Sequence, residues 1–380
     1  MKIEHLRATY PPIDLTALQK HLNPAPTPTT QLFSEWTKFL DGGYHTLIHG
    51  MTGAGKTTLI LTLLKMLHRI GHRILYRDDG GLEFLHLAGK IPMQIWIPEG
   101  CTLNVTYKQT LTNPRNIFQP KISTMPKDPA EILDNAYNLD PRFHVLVYDA
   151  FCIDPALPAQ FYSDLFKELI FRSMQTSRSE KKDLVFSFDE LNDLIQPKGH
   201  SLTKTHSSLS EILNYNIRKL RKHRVTLIGS THRFNQLNIN VRSQFSYIMI
   251  KRSYGKDVLD FMANNLVSVG NDVFWHVVKD TQKMRVQYVY VFDPLNNYDK
   301  LSFPDIDRLD YDDQKSGLLE PKDVSSKKWD SQDLIIALKR AENPPVSYQE
   351  LADTLGLAKS SVYMRAKKLK AAPNMRGSIQ

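Results

Sequence analysis

The feature that most constrains this sequence is a glycine-rich turn between a short apolar run and a long helical pattern. Residues 50–57 match G-x-x-x-x-G-K-[ST], residues 46–48 have the composition of a buried strand, and apolar spacing predicts a helix over residues 56–70 that ends before Gly71. Small residues let such a turn fold tightly and direct its backbone N–H groups inward, towards a phosphate group. The sequence therefore predicts a nucleoside-triphosphate site.

Side chains next to this turn have chemistry that suits the same ligand. Lys56 is expected to reach the β- and γ-phosphates and the Thr57 hydroxyl to hold Mg²⁺, while the helix N-terminus adds a positive potential. The predicted cofactors are ATP and Mg²⁺. The predicted nucleotide-binding residues are Gly50, Met51, Thr52, Gly53, Ala54, Gly55, Lys56, Thr57 and Thr58.

A second motif, over residues 183–190, is an apolar strand that ends in two acids. Asp189 is predicted to bind Mg²⁺, and Glu190 to act as the base that orients and polarises an attacking water. Asp149 also ends an apolar run, but alanine follows it, so it offers a metal ligand without an adjacent base. We therefore favour Asp189. The structural alternative is an acid pair that only caps a strand.

Composition sets the broad class of the protein. The chain has 380 residues, a net charge of +9 and two cysteines without a C-x-x-C spacing. The charge is compatible with a nucleic-acid partner and equally with a solvated surface. The cysteines indicate a reducing, cytoplasmic compartment. No apolar run is long enough to span a bilayer, and the first residues lack the apolar segment of a secretory signal.

Strands that alternate with helical patterns predict an α/β fold with a mainly parallel sheet covered on both faces. Beyond the acid pair, residues 209–223 have helical spacing and a tail rich in Arg and Lys. The next apolar run, residues 225–229, is followed by Ser230, Thr231 and His232. A basic helix end can simply complement the helix dipole. Alternatively, one of its arginines reaches the γ-phosphate bound by a neighbouring subunit.

The order of these motifs resembles the FtsK/HerA superfamily, which are ring-forming, RecA-like ATPases that pump double-stranded DNA. The resemblance covers roughly residues 40–255, about one domain, and is carried most by RKLRKHRVTLIGSTHRFNQL. It implies a homo-oligomeric, hexameric ring, with Thr231 or His232 in place of the glutamine that usually senses the γ-phosphate. It also implies that Arg221 acts across subunits, ahead of Arg218 and Arg242.

Composition also divides the chain into segments. Residues 1–30 are proline-rich and predict an extended arm, and residues 301–330 predict an acidic linker. The resemblance implies that residues 31–300 between them form the RecA-like P-loop ATPase domain, with an irregular insertion at 102–142. Residues 331–372 predict a small all-α helix-turn-helix domain, plain or winged, and residues 373–380 a tail. Within that domain, residues 347–350 have the pattern of a capping box at the start of a helix.

From residue 351 onward, six basic residues face a single acid. This balance favours contact with double-stranded DNA over the alternative of a protein-docking domain. The predicted DNA-binding residues are Lys359, Ser360, Ser361, Tyr363, Arg365, Lys367 and Lys368.

Together these features predict an ATP-hydrolysing motor that translocates or packages double-stranded DNA, with Glu190, Lys56 and Arg221 as its catalytic residues. One alternative is a regulator whose DNA binding is switched by ATP. Another is an ATPase that moves protein or assembles filaments. A packaging role would also associate the chain with a virion.

Overall fold

The computed structural model describes residues 44–107, 118–148, 156–175, 183–197, 199, 201–266, 271–294, 297–303, 317–319, 336, 346–355 and 359–370. The chain divides into two units, residues 1–99 with 103–317 and residues 100–102 with 318–380. The predicted arm at 1–30 and most of the predicted acidic linker lie outside the described residues. Among the helices that are described, none is both long and apolar enough to cross a membrane.

Strands and helices alternate through the first unit. The described strands are β1 (Thr46–His49), β2 (Arg73–Arg77), β3 (Met93–Ile97), β4 (Thr102–Asn104), β5 (Lys121–Thr124), β6 (Phe143–Leu146), β7 (Leu184–Phe188), β8 (Val225–Thr231), β9 (Tyr247–Ile250), β10 (Tyr288–Phe292), β11 (Tyr298–Ser302) and β12 (Gly317–Leu319). The described helices are α1 (Lys56–Arg69), α2 (Leu85–Ala88), α3 (Pro129–Asn138), α4 (Ala156–Gln175), α5 (Lys204–Lys222), α6 (Ile239–Arg242), α7 (Lys256–Leu266), α8 (Asn271–Lys283), α9 (Tyr348–Leu355) and α10 (Lys359–Lys370).

Ten of these strands form one sheet, in the order β11-β10-β9-β1-β8-β7-β2-β6-β3-β5. Neighbouring strands from β9 to β5 are parallel, whereas β10 and β11 run antiparallel at one edge. This confirms the predicted α/β fold with a mainly parallel sheet. β8 lies between β1, which leads into the glycine-rich turn, and β7, which leads into the acid pair. The carboxyl ends of these three neighbouring strands therefore lie side by side. Open parallel sheets bind their ligands at the carboxyl ends of the strands.

The central strands are apolar because both faces of the sheet are covered. Every residue of β1, β3, β6, β7 and β8 is buried. On one face, Phe166 of α4 stacks on Phe186 and Phe188 of β7, with ring centroids 5.2 and 5.6 Å apart. The predicted end of α1 is confirmed, because Ile70 caps it and Gly71 has a φ of 103°, which stops the helix.

The segment predicted as an irregular insertion, residues 102–142, contains regular structure. β5 pairs in parallel with β3 at the sheet edge. α3 begins behind Asp128, whose side chain accepts a hydrogen bond from the Ala130 N–H (2.9 Å). The prediction was wrong here for a physical reason. β5 is an edge strand exposed along most of its length, and α3 buries only a narrow stripe, so neither shows a strong apolar pattern.

In the second unit, α9 and α10 pack around a small apolar cluster. Its buried members are Ile336, Leu351, Ala352, Val362 and Ala366. The predicted capping box is confirmed, since the Glu350 N–H donates to Ser347 Oγ (3.1 Å) and the Ser347 N–H donates to Glu350 Oε2 (3.3 Å). The turn at 356–358 and, apart from Ile336, the predicted helix at 331–341 lie outside the described residues. The helix-turn-helix assignment therefore stays a prediction.

Candidate active site

The glycine-rich turn after β1 has the conformation that a phosphate cradle requires. Gly53 and Gly55 have φ angles of 72° and 83°, in a region that residues with side chains rarely adopt. Gly50 leaves no room for a side chain, because an added Cβ would lie 2.7 Å from the Cβ of Lys251. α1 begins at Lys56, so its first backbone N–H groups, which lack partners within the helix, lie at the turn. These features fit a bound phosphate chain.

The two strands beside β1 brace this turn. The Gly50 N–H donates to the carbonyl of Thr231 at the end of β8 (3.3 Å), and the Met51 N–H donates to the carbonyl of Arg252 after β9 (3.1 Å). The Arg252 guanidinium also donates to the Gly53 carbonyl (3.3 Å). Arg252 was not among the predicted site residues, because no local sequence pattern shows that β9 pairs with β1.

The structure brings Asp189 to the first turn of α1. The Thr57 hydroxyl donates to Asp189 Oδ2 (2.6 Å), and the Ser230 hydroxyl donates to Asp189 Oδ1 (2.6 Å). Hydroxyl and carboxylate oxygens are ligands that Mg²⁺ accepts together with phosphate oxygens and waters. Across the described ranges, no cluster of three or more His, Cys, Asp or Glu side chains could hold a metal on its own. Thr57 and Asp189 therefore fit a Mg²⁺ ion whose other ligands come from the nucleotide and water.

Lys56, His232 and Glu190 form a chain of polar contacts at the mouth of the turn. The Lys56 ammonium lies 2.9 Å from His232 Nδ1 and 3.4 Å from Glu190 Oε1. The same Glu190 oxygen lies 2.7 Å from His232 Nε2. Because an ammonium can only donate, this pattern fits a neutral ring with its proton on Nε2. Burial and the neighbouring Lys56 charge both lower the pKa of His232, which favours that neutral form.

The environment of Glu190 suits a general base. Burial raises its pKa to about 7, although the Lys56 charge opposes that shift. A base with a pKa near neutrality is well matched to taking a proton from water. Its Oε2 atom is buried and has no hydrogen-bond partner in the described part of the chain, so it can accept a hydrogen bond from a water. Its φ of 47° is unusual for a residue with a side chain.

A buried arginine, Arg77 at the end of β2, supports the backbone of the acid pair. Its guanidinium donates to the carbonyls of Asp189 (2.9 Å) and Glu190 (3.2 Å) and lies over the ring of Tyr162, 5.5 Å from its centroid. These contacts hold the unusual backbone at Glu190. Arg77 was not among the predicted site residues, although a charged residue that closes an otherwise apolar strand is a signal in the sequence.

The two predicted sensor residues point in different directions. His232 contacts Lys56 and Glu190. Thr231 is fully buried, and its hydroxyl donates to the carbonyl of Arg233 (2.9 Å) within the same turn. Of the two, His232 is the one whose side chain contacts the P-loop lysine, Lys56.

Two of the three arginines predicted to act across subunits lie away from Lys56 of their own chain. Arg218 and Arg221 are exposed in the last turns of α5, beside the start of β8, whereas the P-loop motif follows the end of β1. Arg221 lies over the ring of Tyr44 (4.3 Å). Arg242 donates to the carbonyl of Phe234 (2.9 Å). Because β1 and β8 are parallel, Arg218 and Arg221 lie at the opposite end of these strands from the P-loop of their own chain.

The alternative acid, Asp149, falls outside the described residues. The strand before it, β6, is four strand spacings from β1, or about 19 Å, whereas β7 is two spacings away, or about 10 Å. The contact between Asp189 and Thr57 agrees with that difference. The geometry therefore favours Asp189 as the metal ligand.

Part of the predicted DNA-binding surface is described. Lys359, Ser360, Ser361 and Tyr363 are exposed at the start of α10. Tyr363 meets Tyr348 of α9 edge-on, with ring centroids 5.4 Å apart. The side chains of three further candidates are outside the described part: Arg365, Lys367 and Lys368.

The strand order and the turn together decide the fold type. One strand, β8, separates the strand of the glycine-rich turn from the strand that ends in Asp189 and Glu190, and the turn has the shape of a phosphate cradle. The chain has a RecA-like P-loop NTPase fold. Its P-loop is formed by residues 50–57, and the carboxyl ends of β7 and β8 complete the site.

Comparison with known proteins gives matches to solved structures. No protein-family model matches the chain, and no curated protein sequence matches it. The genome packaging NTPase B204 from Sulfolobus turreted icosahedral virus 2, in complex with ATP-gammaS, is 14% identical with a TM-score of 0.42, over 70% of this chain and 98% of that chain. The bacterial conjugative coupling protein TrwBdeltaN70 is 11% identical with a TM-score of 0.44, over 73% of this chain and 87% of that chain.

A third similar structure is the pCW3 conjugation coupling protein TcpA in its monomer form with ATPgS. It is 14% identical with a TM-score of 0.34, over 72% of this chain and 62% of that chain. At these identities the similarity concerns the fold.

Proposed function

We propose that this chain is an ATPase that hydrolyses ATP to ADP and phosphate and uses the energy to translocate or package double-stranded DNA. One observation supports the hydrolysis of ATP: Glu190 lies beside Lys56 at the mouth of the P-loop, while Asp189 contacts Thr57. Transfer of a phosphoryl group to water requires an acid that binds the metal and a carboxylate base, both next to a phosphate cradle.

In this proposal Lys56 binds the β- and γ-phosphates. Thr57 and Asp189 would hold Mg²⁺, and the ion would supply positive charge to neutralise the phosphates. Glu190 accepts a proton from a water molecule while the oxygen of that water attacks the γ-phosphorus. The bond from the γ-phosphorus to the bridging oxygen breaks, and ADP leaves with that oxygen. We further propose that His232 contacts the γ-phosphate and orients Glu190, a role that its contacts with Lys56 and Glu190 support.

The DNA partner is proposed from the chain's own residues. The order of motifs resembles that of ring ATPases that pump DNA, the net charge is +9, and α10 begins with an exposed Lys-Ser-Ser run. Arg218 and Arg221 are available to a neighbouring subunit at the end of the strands opposite the P-loop. Genome packaging and conjugation, named for the similar structures, are processes of the same class, although the proposal rests on this chain.

Electron microscopy of the protein with duplex DNA and a non-hydrolysable ATP analogue tests the motor directly. The expected result is a ring of subunits, six by the family resemblance, with the duplex in its centre. A dimer on one discrete DNA sequence would instead support the ATP-switched regulator.

The remaining alternative is an ATPase that moves protein or assembles filaments. The salt dependence of the affinity for DNA distinguishes it from a DNA motor. Contacts between basic side chains and DNA phosphates release counterions, so affinity should fall steeply between 50 and 200 mM salt. Lys359→Ala should reduce that salt dependence if α10 contacts phosphates, whereas Asp353→Ala on α9 serves as a control of opposite charge. Weak binding to DNA that does not respond to salt would argue against the motor.

A further inference from the structure

An exposed apolar side chain, Val286, lies directly against the P-loop on its β10 side. It precedes β10, is 49% exposed and packs next to Gly55, where an added Cβ would lie 3.6 Å from the Val286 Cβ. Neither the phosphate cradle nor the hydrolysis machinery uses this side chain. This valine is therefore in a position to contact a ligand that is bound at the loop.

A buried lysine fixes the position of Val286. Lys251 at the end of β9 is fully buried, and its ammonium donates to the carbonyls of Val286 and Tyr288, the latter over 2.9 Å. The same ammonium lies 4.1 Å from the ring centroid of Phe303. Because a buried ammonium needs such partners, Lys251 ties the chain at Val286 to the strand beside the P-loop. Val286 is thus held at the loop by the fold.

The direction of a bound triphosphate follows from the site already described. The γ-phosphate end belongs where Lys56, His232 and Glu190 meet, which is the β8 and β7 side of β1. The other side of β1 carries β9 and then β10. A nucleotide whose γ-phosphate points towards β7 therefore extends its ribose and base towards the β9–β10 side, where Val286 lies.

An aliphatic side chain is suited to the face of a nucleobase, since every base offers an apolar, polarisable surface. Val286 therefore has the chemistry that contact with a base and ribose requires.

We infer that Val286 forms part of the surface that contacts the nucleobase and ribose of the bound nucleotide, with Lys251 as a positioning residue. This inference rests on the proposed function, because it requires the P-loop to bind a nucleoside triphosphate. Base binding is then separate from phosphate binding, and different side chains can be changed to alter each of them.

The experiment compares two ligands that share the phosphate chain. Binding of Mg·ATP and of Mg·tripolyphosphate is measured by calorimetry for the full-length wild type, Val286→Ala and Val286→Thr. Val286→Ala should lower the affinity for ATP about five-fold, which is the effect of losing contact with about 40 Å² of apolar surface. The affinity for tripolyphosphate should not change. Val286→Thr keeps the side-chain shape but adds a hydroxyl and should weaken ATP by about two-fold. If the alanine variant is less stable than the wild type, Val286→Thr still tests the contact with the nucleotide.

Ile70→Ala provides the matched control. Ile70 is also partly exposed and apolar, but it follows the last turn of α1, about 21 Å along the helix from Lys56. It should change neither affinity. Equal losses for ATP and tripolyphosphate in the Val286 variants, or no loss for ATP, would overturn the inference. If the wild type binds tripolyphosphate and ATP normally in that case, the proposed function survives. If it binds neither ligand, both proposals fail.

Discussion

The Nε2 atom of His232 lies 2.7 Å from a carboxylate oxygen of Glu190. That same oxygen also faces the Lys56 ammonium at 3.4 Å, so the base and the phosphate-binding lysine interact through a shared partner when phosphate is not between them. A γ-phosphate would attract the Lys56 ammonium away from Glu190 and His232. Nucleotide binding would thereby free the base for water, because a carboxylate held by an ammonium is a poorer proton acceptor.

The first prediction concerns Glu190. Glu190→Gln keeps the size of the side chain but removes its ability to accept a proton, so ATP turnover should fall by at least about 100-fold while ATP affinity stays within a few-fold. Phosphate release with and without DNA, together with calorimetry, measures both quantities. Glu211→Gln makes the same change at an exposed carboxylate of α5; it is the control and should have a small effect. DNA-stimulated hydrolysis that persists in Glu190→Gln would show that another residue is the base.

The second prediction separates the role of His232 from simple packing. A glutamine amide can also accept a hydrogen bond from Lys56 and donate one to Glu190, so His232→Gln should retain turnover within about ten-fold. His232→Ala should lose about 100-fold in kcat with a smaller change in KM. Arg233→Ala, an exposed neighbour in sequence, serves as the control. Equal turnover in the alanine variant and the wild type would remove His232 from the mechanism.

The third prediction tests whether Arg221 acts on the nucleotide of another subunit. Arg221→Ala should lower turnover by about 1,000-fold without weakening ATP binding. Mixing Arg221→Ala subunits with Lys56→Ala subunits should restore part of the activity. Some interfaces then combine an intact P-loop with an intact arginine from the neighbour. Lys222→Ala, an exposed basic neighbour, is the control.

If mixing the Arg221→Ala and Lys56→Ala subunits restores nothing while each still joins the oligomer, Arg221 does not act across subunits. The same mixing experiment with Arg218→Ala would then identify the next candidate. Subunit exchange can be followed separately by fluorescence energy transfer between labelled chains.

The fourth prediction is a loss of stability in acid caused by His45. Its Nε2 contacts the carbonyl of Ile217 (2.7 Å) and its Nδ1 accepts from the Leu227 N–H (3.0 Å), so the buried ring must be neutral. Burial lowers its pKa from 6.5 to about 4. Between those two pH values the unfolded chain binds a proton that the folded chain does not, so the free energy of unfolding falls as the pH falls. The loss approaches about 3 kcal/mol at pH 4.

Urea unfolding between pH 7.5 and pH 4.5 measures this loss. His45→Gln retains a donor and an acceptor but does not titrate. The free energy of unfolding of this variant should therefore depend less steeply on pH, and the difference in slope should correspond to at most one proton taken up on unfolding. His276→Gln changes an exposed histidine and is the control. Identical slopes for the wild type and His45→Gln would refute the assignment.

Some parts of the fold could be read from local sequence because local forces produce them. The P-loop strand, the turn glycines, the end of α1 at Gly71 and the capping box at Ser347 all depend on residues within one or two turns of each other. Other parts were missed for the converse reason. β5 and α3 have weak apolar patterns, and they are regular because the sheet edge and α4 provide a surface to pack on.

By itself, the sequence determined the chemistry of this protein: a phosphate-binding turn, a strand ending in two acids and a basic helix tail. Those features depend on residue type and short spacing. Only the tertiary structure decided which groups meet. It placed β8 between β1 and β7, which brings His232 between Lys56 and Glu190, and it put Arg77, Arg252 and Lys251 around the site from β2 and β9. Strand order depends on packing between distant segments, which local sequence patterns do not specify.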